Sequence, residues 1–327
     1  MKTLMIYGAL GYTGRMVARQ AKSAGLDVVI AGRDQKRLVE LALELGLPYR
    51  VFPLEGDLSP GHFEGIHAVL NCAGPFVRTA KPLMQACMEH GMHYLDITAE
   101  IGIYQLAESL SVAASEAGVM LMPGVGWDVV PTDSLAMQVV ARVKDPISLR
   151  IALKVAGGMS RGSAVSASEI VSAGILARVD GDLVSRPDAP SALFDFGDGL
   201  VDCFPLSFGD LITAWHSTGV RNIAMYVHVT GDGFPEGDLS LLPDGPTAEQ
   251  RDAHGAAAVV EVTSVDGTVT RSIIETVNGY SYTPLAAVEA ARRVLAGDAR
   301  PGFQTPARVF GQGFAETIEG TSVTHPS

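Results

Sequence analysis

The chain has 327 residues, room for roughly two domains with large buried cores. Apolar residues make up 47% and charged residues 18%, the balance of a globular protein and not of a disordered one. The 24 basic residues against 36 acidic ones give a net charge of −12, which argues against nucleic acid or an acidic membrane surface as partner, since both are held by positive charge.

Cys72, Cys87 and Cys203 form neither a disulfide framework nor a metal-ligand spacing and fit a reducing cytoplasm. His90 and His93 make an H-x-x-H without an acidic or cysteine partner at a recognisable spacing, so no metal is assigned. The apolar run at residues 4–6 meets Gly8 too soon for a secretory h-region of about 7–15 residues. No later stretch reaches the ~18 uninterrupted apolar residues of a membrane span.

The first 125 residues alternate between two periods. "TLMIYG" reads as a buried strand. "GRMVARQAKSAG" follows as a helix with Met16, Val17, Gln20, Ala21 and Ala24 on one side, stopped by Gly25. "LDVVIAG" is a second strand. Asp34 then caps "QKRLVELALELG", whose Leu38, Leu41, Ala42 and Leu45 line one face. "YRVFPLE" and "HAVLNCAGP" are strands, "PLMQACMEHG" a helix, "HYLDIT" a strand, "YQLAESLSVAASEAG" a helix and "VMLMPGVG" a strand. Six strand-like runs separated by helices predict an α/β fold, a Rossmann-type doubly wound parallel sheet with its ligand crevice at the carboxyl ends of the strands.

From about residue 147 the pattern changes. "ISLRIALKVAGG" reads as a strand, "SAVSASEIVSAGILARV" as a small-residue helix, and residues 180–210, rich in Gly, Pro and Asp, as loop. "AAAVVEVTSVDGTVTRSIIETVNG" is a hairpin in which Asp266-Gly267 signals a type I′ turn. "PLAAVEAARRVLAG" is a late helix. The expected division is a Rossmann domain at 1–145, a mixed α+β substrate and dimerisation domain at 146–284, and a C-terminal segment at 285–327 that returns to the first domain.

Gly8, Gly11 and Gly14 fall at the first strand-to-helix turn, with Leu10, Tyr12 and Thr13 between them. A bare backbone there lets a pyrophosphate approach the helix start, where N–H groups and the dipole favour anions, and Thr13 adds a hydroxyl. The second strand ends in Gly32 and Arg33, where an NAD-binding chain usually carries a carboxylate for the ribose. Gly32 leaves room for a 2′-phosphate and Arg33 offers it a planar fork, which favours NADP(H); NAD(H) is the alternative, with Asp34 on the ribose. After the fourth strand, Asn71, Ala73 and Gly74 are placed on the cofactor, while Cys72 reads as packing. Thr98 is assigned to the cofactor as well. Asp96, Glu100, Gly126, Trp127 and Asp128 follow the fifth and sixth strands and are assigned to the substrate pocket. Asp133 reads either as part of that edge or as a helix-opening residue.

The stretches Gly8–Arg15, Ala31–Arg33, Asn71–Pro75, Tyr94–Thr98 with Glu100, and Pro123–Asp133 together resemble the saccharopine dehydrogenase-like family, in the short bacterial branch that includes trans-acting enoyl reductases. "SRGSAVSASE", "WHSTGVRNIAMY" and "ARPGFQTPARVFG" match more loosely. The resemblance implies an N-terminal NADP-binding domain followed by a mixed substrate and dimerisation domain, hence a homodimer, with the exposed sheet of the second domain as the interface. Leu10 and Trp127 depart from the residues common in the family. No arginine set for saccharopine aligns with the second half.

The expected activity is an NADP(H)-dependent oxidoreductase moving hydride to or from a C=N, C=O or C=C group of a small-molecule substrate. Ser160 and Ser163 at a helix start are assigned to that substrate, with Arg161, His216 and Tyr226 as catalytic candidates. The competing class is a non-catalytic NADP(H) sensor or scaffold on the same fold.

Overall fold

The computed structural model describes residues 2–56, 58–230 and 242–326. They form two compact units. One comprises Met1–Thr98, Ile103–Gly126 and Thr283–Gln304; the other comprises Ala99–Gly102, Trp127–Tyr282 and Thr305–Ser327.

The first half of the chain runs β1 (Thr3–Tyr7), α1 (Tyr12–Ser23), β2 (Asp27–Gly32), α2 (Gln35–Leu45), β3 (Tyr49–Val51), β4 (Ile66–Asn71), α3 (Phe76–His90), β5 (His93–Asp96), α4 (Ile101–Ser109), α5 (Ser111–Glu116) and β6 (Met120–Met122). Helix α6 (Val130–Val140) follows, then β7 (Pro146–Ala156), α7 (Arg161–Ser172), β8 (Leu176–Val179), β9 (Asp182–Ser185), β10 (Ala192–Asp195) and β11 (Leu200–Pro205). The chain closes with α8 (Asp210–Thr218), β12 (Ile223–Thr230), α9 (Ala248–Asp252), β13 (Ala256–Ser264), β14 (Val269–Thr276), α10 (Gly279–Ala296), β15 (Gly302–Phe303), α11 (Pro306–Phe310) and β16 (Ser322–Thr324).

In the first unit the described residues form a seven-stranded sheet, order β15-β6-β5-β4-β1-β2-β3, with every pairing parallel. The order reverses at β1, so a crevice opens at the carboxyl ends of β1 and β4. Register sets those ends level: Tyr7 pairs with Ala31 and Asn71, and Asn71 pairs with Asp96. Apolar runs make the strands because helices cover both faces of a parallel sheet, and Leu4, Met5, Ile6, Ile30 and Leu70 are fully buried. The face of α1 is Gly14, Val17, Ala18 and Ala21; Ala24 lies beyond the helix end and is exposed. Helix α2 follows the expected pattern, with Asp34 accepting from the Arg37 amide at 3.1 Å and Gly46 closing it at φ +60°. Helix α3 opens at Phe76, six residues before the proline that reads in the sequence as its start, and Pro82 lies inside it. The fourth predicted helix is two, parted at Leu110.

In the second unit the described residues give a nine-stranded mixed sheet with the path β10-β11-β12-β7-β13-β14-β16; β8 pairs with β12 and β9. Strands β12 and β7 run parallel and the other pairs antiparallel. Helix α7 stops at Ser172, and residues 176–179, expected to continue it, are strand. Residues 180–210, expected as loop, contain β9, β10 and β11. The β13–β14 hairpin is present, but only Gly267 of its Asp-Gly pair has positive φ (+86°). With Gly267 N–H donating to Ser264 O at 3.0 Å, the turn is a type I turn closed by a glycine bulge, because type I′ needs positive φ at both central residues.

The apolar sheet face expected to await a partner is covered by the chain itself. Phe194 and Phe196, from the β10–β11 hairpin, bury themselves with Ala152, Cys203, Val259 and Ile273. The hairpin is held by Arg271 to Asp195 at 2.8 Å and Lys154 to Asp198 at 2.5 Å, with Arg150 4.7 Å from the Phe194 ring centroid. Among the described residues no helix is long and apolar enough to cross a membrane.

Candidate functional site

The glycine turn is built by contact, not by flexibility alone. Gly8 has φ +84°, and a Cβ there would lie 2.6 Å from the Ala73 backbone nitrogen. A Cβ on Gly14 would stand 2.2 Å from the Gly8 carbonyl oxygen. Gly8 therefore lets β1 approach the loop after β4, and Gly14 lets α1 pack onto the turn. Gly11 has a different role. A Cβ there would meet Gly8 O at 3.4 Å, an ordinary contact, and Gly11 is exposed at the N-cap of α1. No side chain caps this helix, so its first-turn amides suit an external anion. Leu10, half-buried, completes the turn, and Tyr12 and Thr13 open α1.

The end of β2 sorts the two dinucleotides. Asp34 is committed to capping α2. Arg33 is exposed, and its charge reaches Tyr7, whose hydroxyl burial pushes up to about 12 while Arg33 opposes the rise. Gly32 has nothing within 4 Å of where a Cβ would stand. An open position beside an exposed guanidinium is suited to a 2′-phosphate.

The ends of β4, β5 and β6 are tied together by residues expected to face ligands. Asn71 is fully buried: its amide donates to Thr79 Oγ1 at 3.1 Å and Tyr94 Oη at 3.2 Å, and its oxygen accepts from the Ala73 amide at 3.0 Å. Thr79 in turn donates to the Ala73 carbonyl at 2.6 Å, which fixes the loop that touches Gly8 and leaves Gly74 exposed. Asp96, expected in a substrate pocket, is also fully buried. It accepts from Tyr94 Oη at 2.8 Å, the Thr98 amide at 3.0 Å and the Gly124 amide at 2.9 Å. Thr98 is buried as well, its carbonyl accepting from Tyr104 at 2.6 Å. Asn71 and Asp96 hold the crevice in shape because their polar atoms are already satisfied within it. Burial, aided by the Asp96 charge, raises the Cys72 thiol far above its usual range, so it packs and does not attack. Gly126 sits against Thr283, whose methyl would be 3.0 Å from a Cβ.

This geometry fits a phosphate-bearing dinucleotide, and sequence comparison agrees. The model of the family described as Saccharopine dehydrogenase NADP binding domain matches residues 4–122. Residues 4–122 are thus similar to a saccharopine dehydrogenase NADP binding domain. Its cofactor is NADP(H). A trans-acting enoyl reductase of Mycobacterium tuberculosis is 30% identical over 148 residues, which is 42% of this chain and 35% of that protein. One from Mycobacterium leprae is 30% identical over 149 residues, 43% of this chain and 36% of its own length. The matched stretch thus spans about a third of the curated relatives' length, from 33% to 36%. In fold, the whole chain resembles saccharopine dehydrogenase (L-Glu forming) from Saccharomyces cerevisiae, with a TM-score of 0.64, 13% identity and full coverage of both chains.

Beyond the NADP-binding domain, the second unit gathers several of the remaining predicted residues. Glu100, 5% exposed, accepts from Ser166 Oγ at 2.8 Å. Ser166 lies on α7, and Ser160 caps that helix by accepting from the Ser163 amide at 3.1 Å. The Ser160 amide donates to Tyr280 Oη at 2.8 Å. Neither Ser166 nor Tyr280 stood out in the sequence, because their partners are 66 and 120 residues away. Trp127 is buried, its indole N–H donating to Thr276 Oγ1 at 2.8 Å. Arg161 is half-exposed, pairs with Asp244 at 3.3 Å and donates to the Leu242 carbonyl at 2.8 Å. His216 lies in the last turn of α8. Tyr226 sits in β12 with its ring 5.1 Å from that of Phe194.

The segment after β6 carries an acidic set. Asp133 does not cap α6, whose N-cap is Val129; it is buried within the first turn. It accepts from Ser217 Oγ at 2.5 Å and from the Ala307 amide at 2.8 Å. Burial nevertheless pushes its carboxyl up to about 6. Asp128 is partly exposed, and burial of its carboxyl also pushes it to about 6. Asp210, at the start of α8, is fully buried with neither carboxyl oxygen in hydrogen-bond geometry, and burial drives it well above the usual range.

Proposed function

We propose that the protein is an NADP(H)-dependent oxidoreductase that moves hydride to or from a C=C, C=O or C=N group of a small molecule. The observation that carries the reading is the end of β2: Asp34 is tied to the Arg37 amide, while Arg33 and the open Gly32 remain for a 2′-phosphate. When bound, NADPH supplies the hydride. The protein's part is to hold the pyrophosphate at α1, orient the ring and supply a proton.

The names of the mycobacterial relatives favour a conjugated C=C group, an enone or enoyl thioester, as the first substrate class to try. Glu100, Trp127, Asp128, Ser160 and Ser163 are the substrate-facing set, with Arg161, His216 and Tyr226 as further candidates to meet it. The three cysteines, all free and buried, support a cytoplasmic setting. A homodimer is supported by Leu193, 56% exposed, and Leu200, 68% exposed, on the outer side of the β10–β11 hairpin.

The test is NADPH consumption by the purified protein against panels of enones, enoyl thioesters, ketones and imines, with product identification. Turnover of one class, faster with NADPH than with NADH, supports the reading. Tight NADPH binding without turnover of any class would instead make the protein an NADP(H) sensor.

A further inference from the structure

At the end of the first unit's sheet opposite the crevice, where β1, β4 and β5 begin, lies a cavity of about 100 Å³, room for one small ion or a few waters. Lys2, Ile66, His67, His93, Val294 and Leu295 line it, and all belong to the first unit. His67 reaches it through a slip in register. Thr3 pairs with Ile66 and Leu4 with Ala68, so His67 is an extra residue in β4, and such bulges re-aim a side chain. Its Nδ1 accepts from the Thr3 amide at 3.2 Å. His93 opens β5 opposite Ala68, and its Nδ1 accepts from the Met120 amide at 3.2 Å. A ring nitrogen that accepts carries no proton, so in both neutral imidazoles the proton is on Nε2. Burial and the Lys2 charge hold His93 below the usual histidine range, which keeps that ring neutral.

The polar lining is therefore made of donors: two Nε2–H groups and the Lys2 ammonium, beside the apolar Ile66, Val294 and Leu295. Among the described residues Lys2 makes no ion pair, and neither Nε2 is in a hydrogen bond. Asp27 is taken by Thr3 Oγ1 at 2.8 Å, on the β2 side of β1 and away from β4. Helices α3 and α10 end nearby, and their partial negative charge opposes an anion modestly. Their Cys87 and Val294 carbonyls already accept from the Met92 amide at 2.9 Å and the Gly297 amide at 3.0 Å, so they do not compete for Lys2. A metal ion is disfavoured by the tautomers, because it needs an Nε2 lone pair.

We propose that this cavity binds a phosphate group, held by Lys2 and the Nε2–H groups of His67 and His93. The site lies at the far end of the sheet from the glycine turn and does not rest on the oxidoreductase reading. A tetrahedral anion meets donors carried by three separate segments better than a planar carboxylate does. Lys2 is exposed, so binding weakens with salt.

The test is imidazole-nitrogen NMR of histidine-labelled protein, titrated with inorganic phosphate at fixed ionic strength, with and without NADPH. The expected result is Nε2–H tautomers for His67 and His93, with signals that shift saturably in both conditions. Lys2→Gln should weaken phosphate binding at least fivefold. His67→Asn and His93→Asn, whose side-chain oxygen can still accept the backbone amide, should each weaken it at least threefold and leave NADPH affinity within twofold. A parallel titration with glycerol 3-phosphate separates the two sources of the group. Equal or tighter binding assigns the site to the end of a phosphate ester, and weaker binding assigns it to the free ion. Nδ1–H rings, shifts that chloride reproduces, or an affinity unchanged in all three variants would overturn the proposal. Loss of the phosphate response on adding NADPH would also overturn it, since the ion would then lie in the nucleotide site. Failure of NADPH to bind would overturn only the oxidoreductase reading.

Discussion

The Gly8 carbonyl oxygen stands 2.2 Å from where a β-carbon on Gly14 would sit. That oxygen is backbone at the end of β1 and also accepts from the Gly11 amide at 3.1 Å, so it has no freedom to retreat. Gly14→Ala should therefore destabilise the protein by about 2–3 kcal/mol, as overpacked cores do. Gly11→Ala, which meets only an ordinary contact, should cost under about 1 kcal/mol in stability while weakening NADPH binding at least tenfold. Urea denaturation beside NADPH fluorescence titration separates the two effects.

Asp96 accepts two backbone amides and a tyrosine hydroxyl inside a closed site. Asp96→Ala leaves the Thr98 and Gly124 amides unpaired and should cost about 3–5 kcal/mol. Asp96→Asn keeps one oxygen for both amides and should lose about 1–2 kcal/mol. Equal losses in the two variants, measured by chemical denaturation, would contradict the role assigned to Asp96.

The acidic set gives stability an unusual pH dependence. Asp128 and Asp133 lie near 6 in the fold against an ordinary 3.8, and burial raises Asp210 as well. The folded state then binds more protons than the unfolded chain, so the contribution of Asp128 and Asp133 is full below about 3.8 and is lost as pH rises through about 6, with Asp210 acting in the same direction. Melting temperature should drop as pH rises from about 4 through about 6, and Asp210→Asn should make that drop smaller. Asp266, drawn down to about 2 by its Ser264 and Thr268 partners, acts only at lower pH and does not mask the effect.

Gly32 has room for a side chain at the end of β2. Gly32→Asp places a carboxylate where it would accept from a ribose 2′-hydroxyl and repel a 2′-phosphate. The variant should lose NADPH affinity at least tenfold, about 1.4 kcal/mol, and favour NADH. Unchanged preference would place the adenosine ribose elsewhere.

Much of the NADP-binding domain was legible in the sequence, since helix and strand periods alternate cleanly and Gly8, Gly11 and Gly14 fall at a turn those periods define. Pro82 misled because proline favours the first turn of a helix, yet α3 had already begun at Phe76. Strands β9 and β10 are four residues each between turns at Gly181, Gly197 and Gly199, too short for a period to show. Asp210 was invisible for a different reason. Its burial depends on α8 meeting α6, seventy-odd residues earlier in the chain, and nothing local in "FGDLITAW" distinguishes a buried acid from a helix-opening one. Asn71 and Asp96 end strands at the crevice, which is the position from which a side chain is expected to meet a ligand. Register confirms those positions, while Tyr94 and Thr79 already occupy their polar atoms.

The most direct test of the account is a side-by-side titration of wild type and Arg33→Ala with NADPH and NADH. Wild type should prefer NADPH by tenfold or more, and the preference should collapse in Arg33→Ala with NADH binding unchanged. Equal binding of the two nucleotides by wild type, or a preference that survives the loss of Arg33, would contradict the assignment of the 2′-phosphate to the end of β2.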